Sequence, residues 1–210
     1  MADWTTIAQL STAAGTMVLA LATFASVRSA NRTARAAEGS LLAGLRPLLV
    51  PSRLEDPPEK VGFQDDHWVR VPGGGAVAEV VDGSIYLAVS LRNVGSGIAV
   101  LDRWSLIPER AMSDRSHDDI SQYRRLTRDL YVPPQDRGFW QGAIRDASDP
   151  LYEPIRARIE ARQPITVDLL YGDFDGGQRS ISRFAIMPGS KDNWLAVGSL
   201  HWNLDRPDPR

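Results

Sequence analysis

The hydrophobic pattern begins with one long uncharged stretch at the N-terminus. Residues 4–27 contain no charged side chain, and about 20 residues at 1.5 Å each are enough to cross the hydrocarbon core of a bilayer. Trp4 stands at the position of an interfacial aromatic anchor. The pattern predicts that residues 1–45 form a transmembrane helix and its extension, which ends before Pro47.

Three other interpretations of this stretch fit less well. A cleaved signal peptide has a basic N-terminal region, whereas here only the acidic Asp3 precedes the stretch. A buried core helix this apolar rarely precedes an arginine-rich flank. An amphipathic surface helix needs a polar stripe, which the stretch lacks.

The charged residues beside the span predict its orientation. Arg28, Arg32 and Arg35 follow it, and the arginine-flanked side of a span stays in the cytoplasm. We therefore expect a single-pass protein of the cell membrane, with its N-terminus outside and its C-terminal domain in the cytoplasm.

Small residues four positions apart can form a contact face between transmembrane helices, and they suggest a homo-oligomer held together through this span. The pairs are Ser11 with Gly15 and Ala22 with Ser26. A helix rich in Ala, Ser and Thr also contains such pairs by chance, and chance is the favoured explanation.

From Arg46 onward the hydrophobic positions alternate, as in half-buried strands. Ser84–Leu91 and Ile165–Tyr171 show this period most clearly. The remaining predicted strands are Leu48–Val50, Trp68–Val71, Val77–Val81, Ile98–Ile107, Ile181–Met187 and Trp194–Trp202. So many short strands with Gly, Pro and Asp between them predict a mostly β fold, a β-sandwich over residues 46–205.

Two turns predict which strands are neighbours. The turn Asn93–Gly97 would pair the strands before and after it, and Gly172–Gly177 would join Ile165–Tyr171 to Ile181–Met187.

The middle of the domain has a different pattern. Hydrophobic residues at helical spacing predict one helix; they are Ile120, Tyr123, Leu126 and Leu130. A second helix is predicted from Pro154 to about Arg162. Residues 109–163 are therefore expected to be a partly helical insertion, and residues 206–210 a loose tail.

Two motifs resemble those of a group of uncharacterised bacterial single-pass membrane proteins with an immunoglobulin-like β-sandwich. They are Leu91-Arg-Asn-Val-Gly-Ser-Gly-Ile-Ala99 and Tyr171-Gly-Asp-Phe-Asp-Gly-Gly-Gln-Arg179. The resemblance implies an immunoglobulin-like fold behind an N-terminal span, and it implies no catalytic residues. The length of residues 109–163 departs from the pattern of the group.

Composition and motifs exclude several kinds of chemistry. The chain has no cysteine and a net charge of −2, so thiolate sites are excluded and binding to nucleic acid is not expected. Gly73-Gly-Gly-Ala-Val-Ala78 lies between strand signals, unlike a dinucleotide loop, and Asp173 and Asp175 suit a turn better than a calcium site. The three histidines are scattered, and no nucleophile elbow occurs. We predict no catalytic residue, cofactor or metal ligand.

Residues 109–163 are rich in arginine and contain two adjacent aromatic residues. Because Arg and large aromatic side chains dominate binding hot spots, the candidate partner-binding residues are Arg124, Arg125, Phe139 and Trp140. Alternatively, Trp140 packs into the core. The leading hypothesis is a membrane-tethered cytoplasmic module that binds or scaffolds a protein partner. A membrane-anchored hydrolase with a dispersed active site, and an accessory subunit of a membrane complex, are the alternatives.

Overall fold

The computed structural model describes residues 3–108, 113–190 and 193–206. Residues 109–112 of the predicted insertion and 207–210 of the predicted tail lie outside the described residues. The chain divides into two compact units after residue 44.

The first unit is a single helix, α1, which runs from Trp4 to Gly44. Its segment Thr12–Leu41 is long and apolar enough to cross a membrane, and none of it is buried within the protein. The predicted apolar N-terminal helix is confirmed by length and composition.

The second unit is mostly β, which confirms the fold class at that level. Its described residues contain one helix, α2, from Tyr152 to Glu160, and one 3-10 turn, Ile120–Gln122. Its strands are β1 (Leu49–Pro51), β2 (Glu59–Gly62), β3 (Trp68–Val71), β4 (Gly75–Val81), β5 (Ser84–Asn93), β6 (Ala99–Leu106), β7 (Arg124–Val132), β8 (Arg137–Ile144), β9 (Ile165–Gly172), β10 (Ser180–Pro188) and β11 (Trp194–Asn203).

Nine of these strands form one antiparallel sheet in the order β1-β5-β4-β11-β10-β9-β6-β7, with β8 also paired to β5. Three strands separate β5 from β9 along this path. Nevertheless Val89 of β5 and Leu169 of β9 belong to the same buried cluster. The sheet must therefore curl, so that its inward side chains meet in one core. The hairpin β2–β3 covers the outer face of β5 at Tyr86 and Ala88.

The turn Gly172–Gly177 joins β9 to β10 as an antiparallel pair, as predicted. The other predicted pairing is wrong, because β5 and β6 are not neighbours in the sheet. The loop after Asn93 carries the chain to another part of the sheet instead of reversing it. There a Cβ atom on Gly97 would collide with the carbonyl oxygen of Leu45, so the close approach requires glycine.

The helix predicted from Ile120 to Leu130 is also wrong. Only Ile120–Gln122 form a 3-10 turn, and the following residues are the strand β7. Leu126 and Leu130 are four positions apart, which places two residues on one face of a helix and equally on one face of a strand. Within residues 113–163, β7 and β8 therefore belong to the main sheet, and the helical parts are the 3-10 turn and α2.

A fully buried ion pair joins β9 to β10. The guanidinium of Arg183 donates to both carboxylate oxygens of Asp168 at 2.6 and 2.7 Å, and neither side chain is exposed. Arg183 also donates to the carbonyl oxygens of Asp114 and Ser116. The guanidinium of Arg183 thus connects β9 and β10 to residues 114–116, which lie in the segment that precedes β7.

Another arginine connects the beginning of the β domain to its end. Arg46 donates to Ser180 Oγ at 3.2 Å, to Asn203 Oδ1 at 3.0 Å and to Asp205 Oδ2 at 2.6 Å. Burial is the strongest single influence and raises the pKa of Asp205, but the hydrogen bonds from Arg46 and from a backbone N–H, together with the charges of Arg46 and Arg206, outweigh it and lower the pKa. The first turn of the domain is therefore fastened to β10 and β11.

Candidate functional site

A groove of about 960 Å³ lies between α2 and β4 of the β domain. We call it the β4 groove. Its floor and walls include Ala78 and Val80 of β4, Tyr152 and Ile159 of α2, Trp194 of β11 and Arg70 of β3.

The β4 groove exists because β11 begins too late to cover β4. The pairing of these two strands consists of Trp194 opposite Ala76 and Leu195 opposite Gly75. The part of β4 after Ala76 therefore has β5 on one side and the groove on the other.

The helix α2 forms the opposite wall, and two of its residues fix its position. Ile155 is fully buried in the core. Tyr152 is also buried, and its hydroxyl donates to the carbonyl oxygen of Gly83 at 2.9 Å. Since Gly83 lies in the turn between β4 and β5, this bond ties the helix to the end of the hairpin.

The charges around the β4 groove are unequally paired. The carboxylate of Glu79 lies 2.6 Å from His67 Nε2, and the carboxylate of Glu160 accepts from Arg156 at 2.8 Å. The hydrogen bond to Glu160 raises the pKa of Arg156. Arg70 has no ion-pair partner among the described residues. Both carboxylates of the groove are thus engaged within the chain, and one guanidinium is available.

The four candidate residues from the sequence do not form one surface. Trp140 has no exposed area and packs edge-on against Trp104, with ring centroids 5.4 Å apart. It is therefore a core residue, as the alternative interpretation held. Phe139, the residue before it, is half-buried and lies beneath the guanidinium of Arg128.

The two arginines of that set also separate, because adjacent strand residues point to opposite faces. Arg124 lies over the ring of Trp104 and makes two hydrogen bonds to Asp149, at 2.6 and 2.7 Å. Arg125 is exposed, opposite Arg103 in the neighbouring strand. Phe139 and Arg125 are the two that a partner could reach most readily.

The residues predicted to contact the membrane all belong to α1. Arg28, Arg32 and Arg35 are exposed, whereas the side chain of Trp4 lies outside the described part of the protein. The same holds for Ser11 of the first small-residue pair.

The three histidines lie apart, each with a local partner. His67 stacks on Tyr86 with centroids 4.1 Å apart, and His117 contacts Trp202. No group of three His, Asp or Glu side chains that could hold a metal occurs among the described residues. Asp173 accepts from the N–H of Gly177 at 2.7 Å, which supports its interpretation as a turn former.

One serine and one histidine come close enough to suggest a nucleophile and its base. Ser182 Oγ lies 3.1 Å from His201 Nδ1 and 2.9 Å from the hydroxyl of Tyr171. However, Ser182 is buried, and it faces His201 directly across the β10–β11 ladder. The arrangement is that of a cross-strand polar bridge, and it gives the hydrolase alternative little support.

The β4 groove was not predicted from the sequence. Its helical wall was, since Ile155 and Ile159 have the spacing of one helix face. The open edge of β4 has no local signal, because it depends on which residue of β11 meets Ala76.

Comparison with known proteins leaves the description at the level of a mostly β domain behind an apolar helix. No family model and no curated protein matches the chain. A solved structure, described as a protein from Archaeoglobus fulgidus, covers 63% of this chain and 94% of its own, with 12% sequence identity and a TM-score of 0.23. A TM-score this low carries no argument about function.

Proposed function

We propose that this protein is a membrane-tethered cytoplasmic module that binds a protein partner, and that the partner binds in the β4 groove. The observation that carries the proposal is a strand edge that no other strand of the described residues pairs with, beside the apolar residues Tyr152, Ile159 and Trp194. Exposed strand edges next to side-chain pockets are a recurrent way of binding polypeptides.

The proposal moves the binding site away from the residues that the sequence indicated. Trp140 is buried, and Arg124 is engaged by Asp149. Neither can meet a partner without rearrangement of the core or loss of an ion pair. The β4 groove needs no such change.

Photo-crosslinking in native membranes tests whether a partner occupies the groove. A photoreactive phenylalanine analogue is placed at Ile159, which lines the groove, or at Phe174, which is 70% exposed on the β9–β10 turn. We expect a covalent adduct with another polypeptide at Ile159 and none at Phe174, detected by mass spectrometry. Adducts at neither position, or equally at both, would contradict the assignment.

The membrane attachment, its orientation and the immunoglobulin-like class of the β domain belong to the same proposal. Support comes from the apolar segment Thr12–Leu41 and from Arg28, Arg32 and Arg35 within α1, together with the resemblance of the two glycine-containing motifs.

Reporter fusions test the orientation. Alkaline phosphatase joined to the C-terminus should be inactive, and a fluorescent protein at the same place should be bright, because the positive-inside rule keeps the C-terminal domain in the cytoplasm. The reverse pair of results would show that the domain lies outside.

A further inference from the structure

We propose that the occupant of the β4 groove is an extended segment of a partner protein that adds to the sheet beside β4, with apolar and acidic residues in alternation. This inference rests on the proposed function and specifies the chemistry of the partner.

The register of the β4–β5 hairpin shows which backbone groups face the groove. Asp82 and Gly83, both with positive φ, form a two-residue turn that pairs Val81 with Ser84. In such a turn the closing residues form a hydrogen-bonded pair, and every second residue after them does the same. Val81, Glu79 and Val77 therefore bond to β5.

The residues between them point the other way. Ala76 meets β11, and the carbonyl oxygen of Gly74, two positions earlier, accepts from Ala196 at 3.0 Å. Ala78 and Val80 continue this series of alternate residues, but they lie past Trp194, the first residue of β11, and so have no β11 residue opposite them. Each therefore presents one N–H and one C=O group to the groove, and within the described residues no backbone hydrogen bond reaches them from that side.

Four polar backbone groups in a row are the template that an added strand requires. The open part of β4, residues 77–81, is about 17 Å long at 3.4 Å per residue. A segment of about five residues would cover it.

The two faces of an added strand would meet different surroundings. Ala78 and Val80 direct their side chains to the core, next to Tyr152, Ile159 and Trp194. Glu79 points to the opposite face, and Arg70 lines the groove as well. Because residues opposite each other in a sheet share a face, alternate residues of the segment should be apolar, and the others should lie on the face of Glu79, within the groove that Arg70 lines.

Charge complementarity selects acidic residues for that second face. Glu79 is engaged by His67 and Glu160 by Arg156, whereas Arg70 has no acidic partner in the described structure. A carboxylate on the segment would pair with Arg70, and a cation there would be repelled.

The inference can be tested with peptides of defined pattern and the full-length protein in nanodiscs. The probe is a fluorescein-labelled, end-capped peptide of seven residues that alternates valine and aspartate. Controls are a peptide that alternates valine and lysine, and one with the first composition in two blocks. Fluorescence anisotropy should show saturable binding of the alternating acidic peptide and at least tenfold weaker binding of the other two.

Backbone methylation tests strand addition itself. Two modified versions of the acidic peptide are compared. In one, every valine carries an N-methyl group, and in the other every aspartate does, so that each version lacks the N–H groups of one residue type only. Methylation of one residue type should weaken binding by roughly a hundredfold, and methylation of the other should have little effect, since alternate N–H groups of a strand face opposite sides. Loss with the valine set would indicate antiparallel addition and loss with the aspartate set parallel addition. Equal effects of the two sets would overturn the inference.

Two variants place the site on the protein. Arg70→Glu should weaken the acidic peptide by about fivefold or more and favour the lysine peptide. The matched charge reversal Arg179→Glu, at an exposed position between β9 and β10 that does not line the groove, should change neither. Val80→Pro, which removes one groove-facing N–H while sparing the bonds to β5, should abolish binding. Arg70 is exposed, so its variant keeps the test valid if Val80→Pro folds poorly.

The outcomes separate the two proposals. If an adduct forms at Ile159 but no alternating peptide binds, strand addition is wrong and the binding module stands. If the peptides bind but membranes yield no adduct, the groove accepts a strand and the proposed cellular partner is wrong. Dimers that Val80→Pro prevents would show that a second copy of the chain occupies the edge, which would overturn the inference.

Discussion

Replacement of Arg183 by leucine is expected to lower the free energy of unfolding of the β domain by roughly 3–5 kcal/mol. Neither Arg183 nor Asp168 has exposed side-chain area. The substitution therefore leaves the Asp168 carboxylate in the interior without its guanidinium, while the hydroxyl of Tyr123 still donates to it at 3.4 Å. It also removes the hydrogen bonds to the carbonyl oxygens of Asp114 and Ser116, so the segment that they hold should loosen first.

Urea denaturation followed by tryptophan fluorescence measures this loss, and hydrogen exchange at residues 113–118 measures the loosening. Arg125→Leu is the matched control, because Arg125 is exposed; its effect should stay within about 0.5 kcal/mol. The double substitution Asp168→Leu with Arg183→Leu should recover much of the loss, since it removes both buried charges. If Arg183→Leu alone were as stable as the parent, the ion pair would make no contribution to the free energy of unfolding.

Trp140→Ala is expected to cost roughly 3–5 kcal/mol, the usual range for loss of a large buried aromatic side chain. Trp140 has no exposed area and packs against Trp104, which would lose its edge-on neighbour. The substitution should leave a cavity inside the curled sheet that the surrounding strands cannot fill.

Trp140→Phe and Phe139→Ala are the comparisons for that measurement. The indole N–H of Trp140 has no hydrogen-bond partner in the described structure, so phenylalanine loses volume but no hydrogen bond and should cost less than alanine. Phe139 is half-buried, so its truncation should also cost less. A stable Trp140→Ala variant that no longer binds its partner would return Trp140 to the interface.

Alternation of hydrophobic residues was a sufficient signal where a strand has one buried face or lies deep in the sheet. It predicted β3 with its observed bounds, Trp68–Val71, and β9 to within one residue. It failed at β7, an edge strand whose exposed positions are mostly charged and whose leucines fit both periods. Alternation also could not show that Asp168 and Arg183, both inside predicted strands, lie opposite each other.

The site was harder to predict than the fold because it is built from pairing between distant parts of the chain. The sequence shows that Phe139 and Trp140 are adjacent aromatic residues, but only the sheet determines that one faces the core. Similarly, the open edge of β4 follows from the position at which Trp194 meets Ala76. Neither residue type nor local spacing contains that information.

The bonds of Arg46 have a consequence for how the β domain would respond to mechanical force. The first strand, β1, is held to β5 by three residue pairs, so tension applied through residue 45 would by itself peel it away. Arg46 stands just before β1 and bonds to Ser180, Asn203 and Asp205. Tension that enters the domain there is shared with β10 and β11, and the domain should resist pulling on its N-terminal side more strongly than the shortness of β1 suggests.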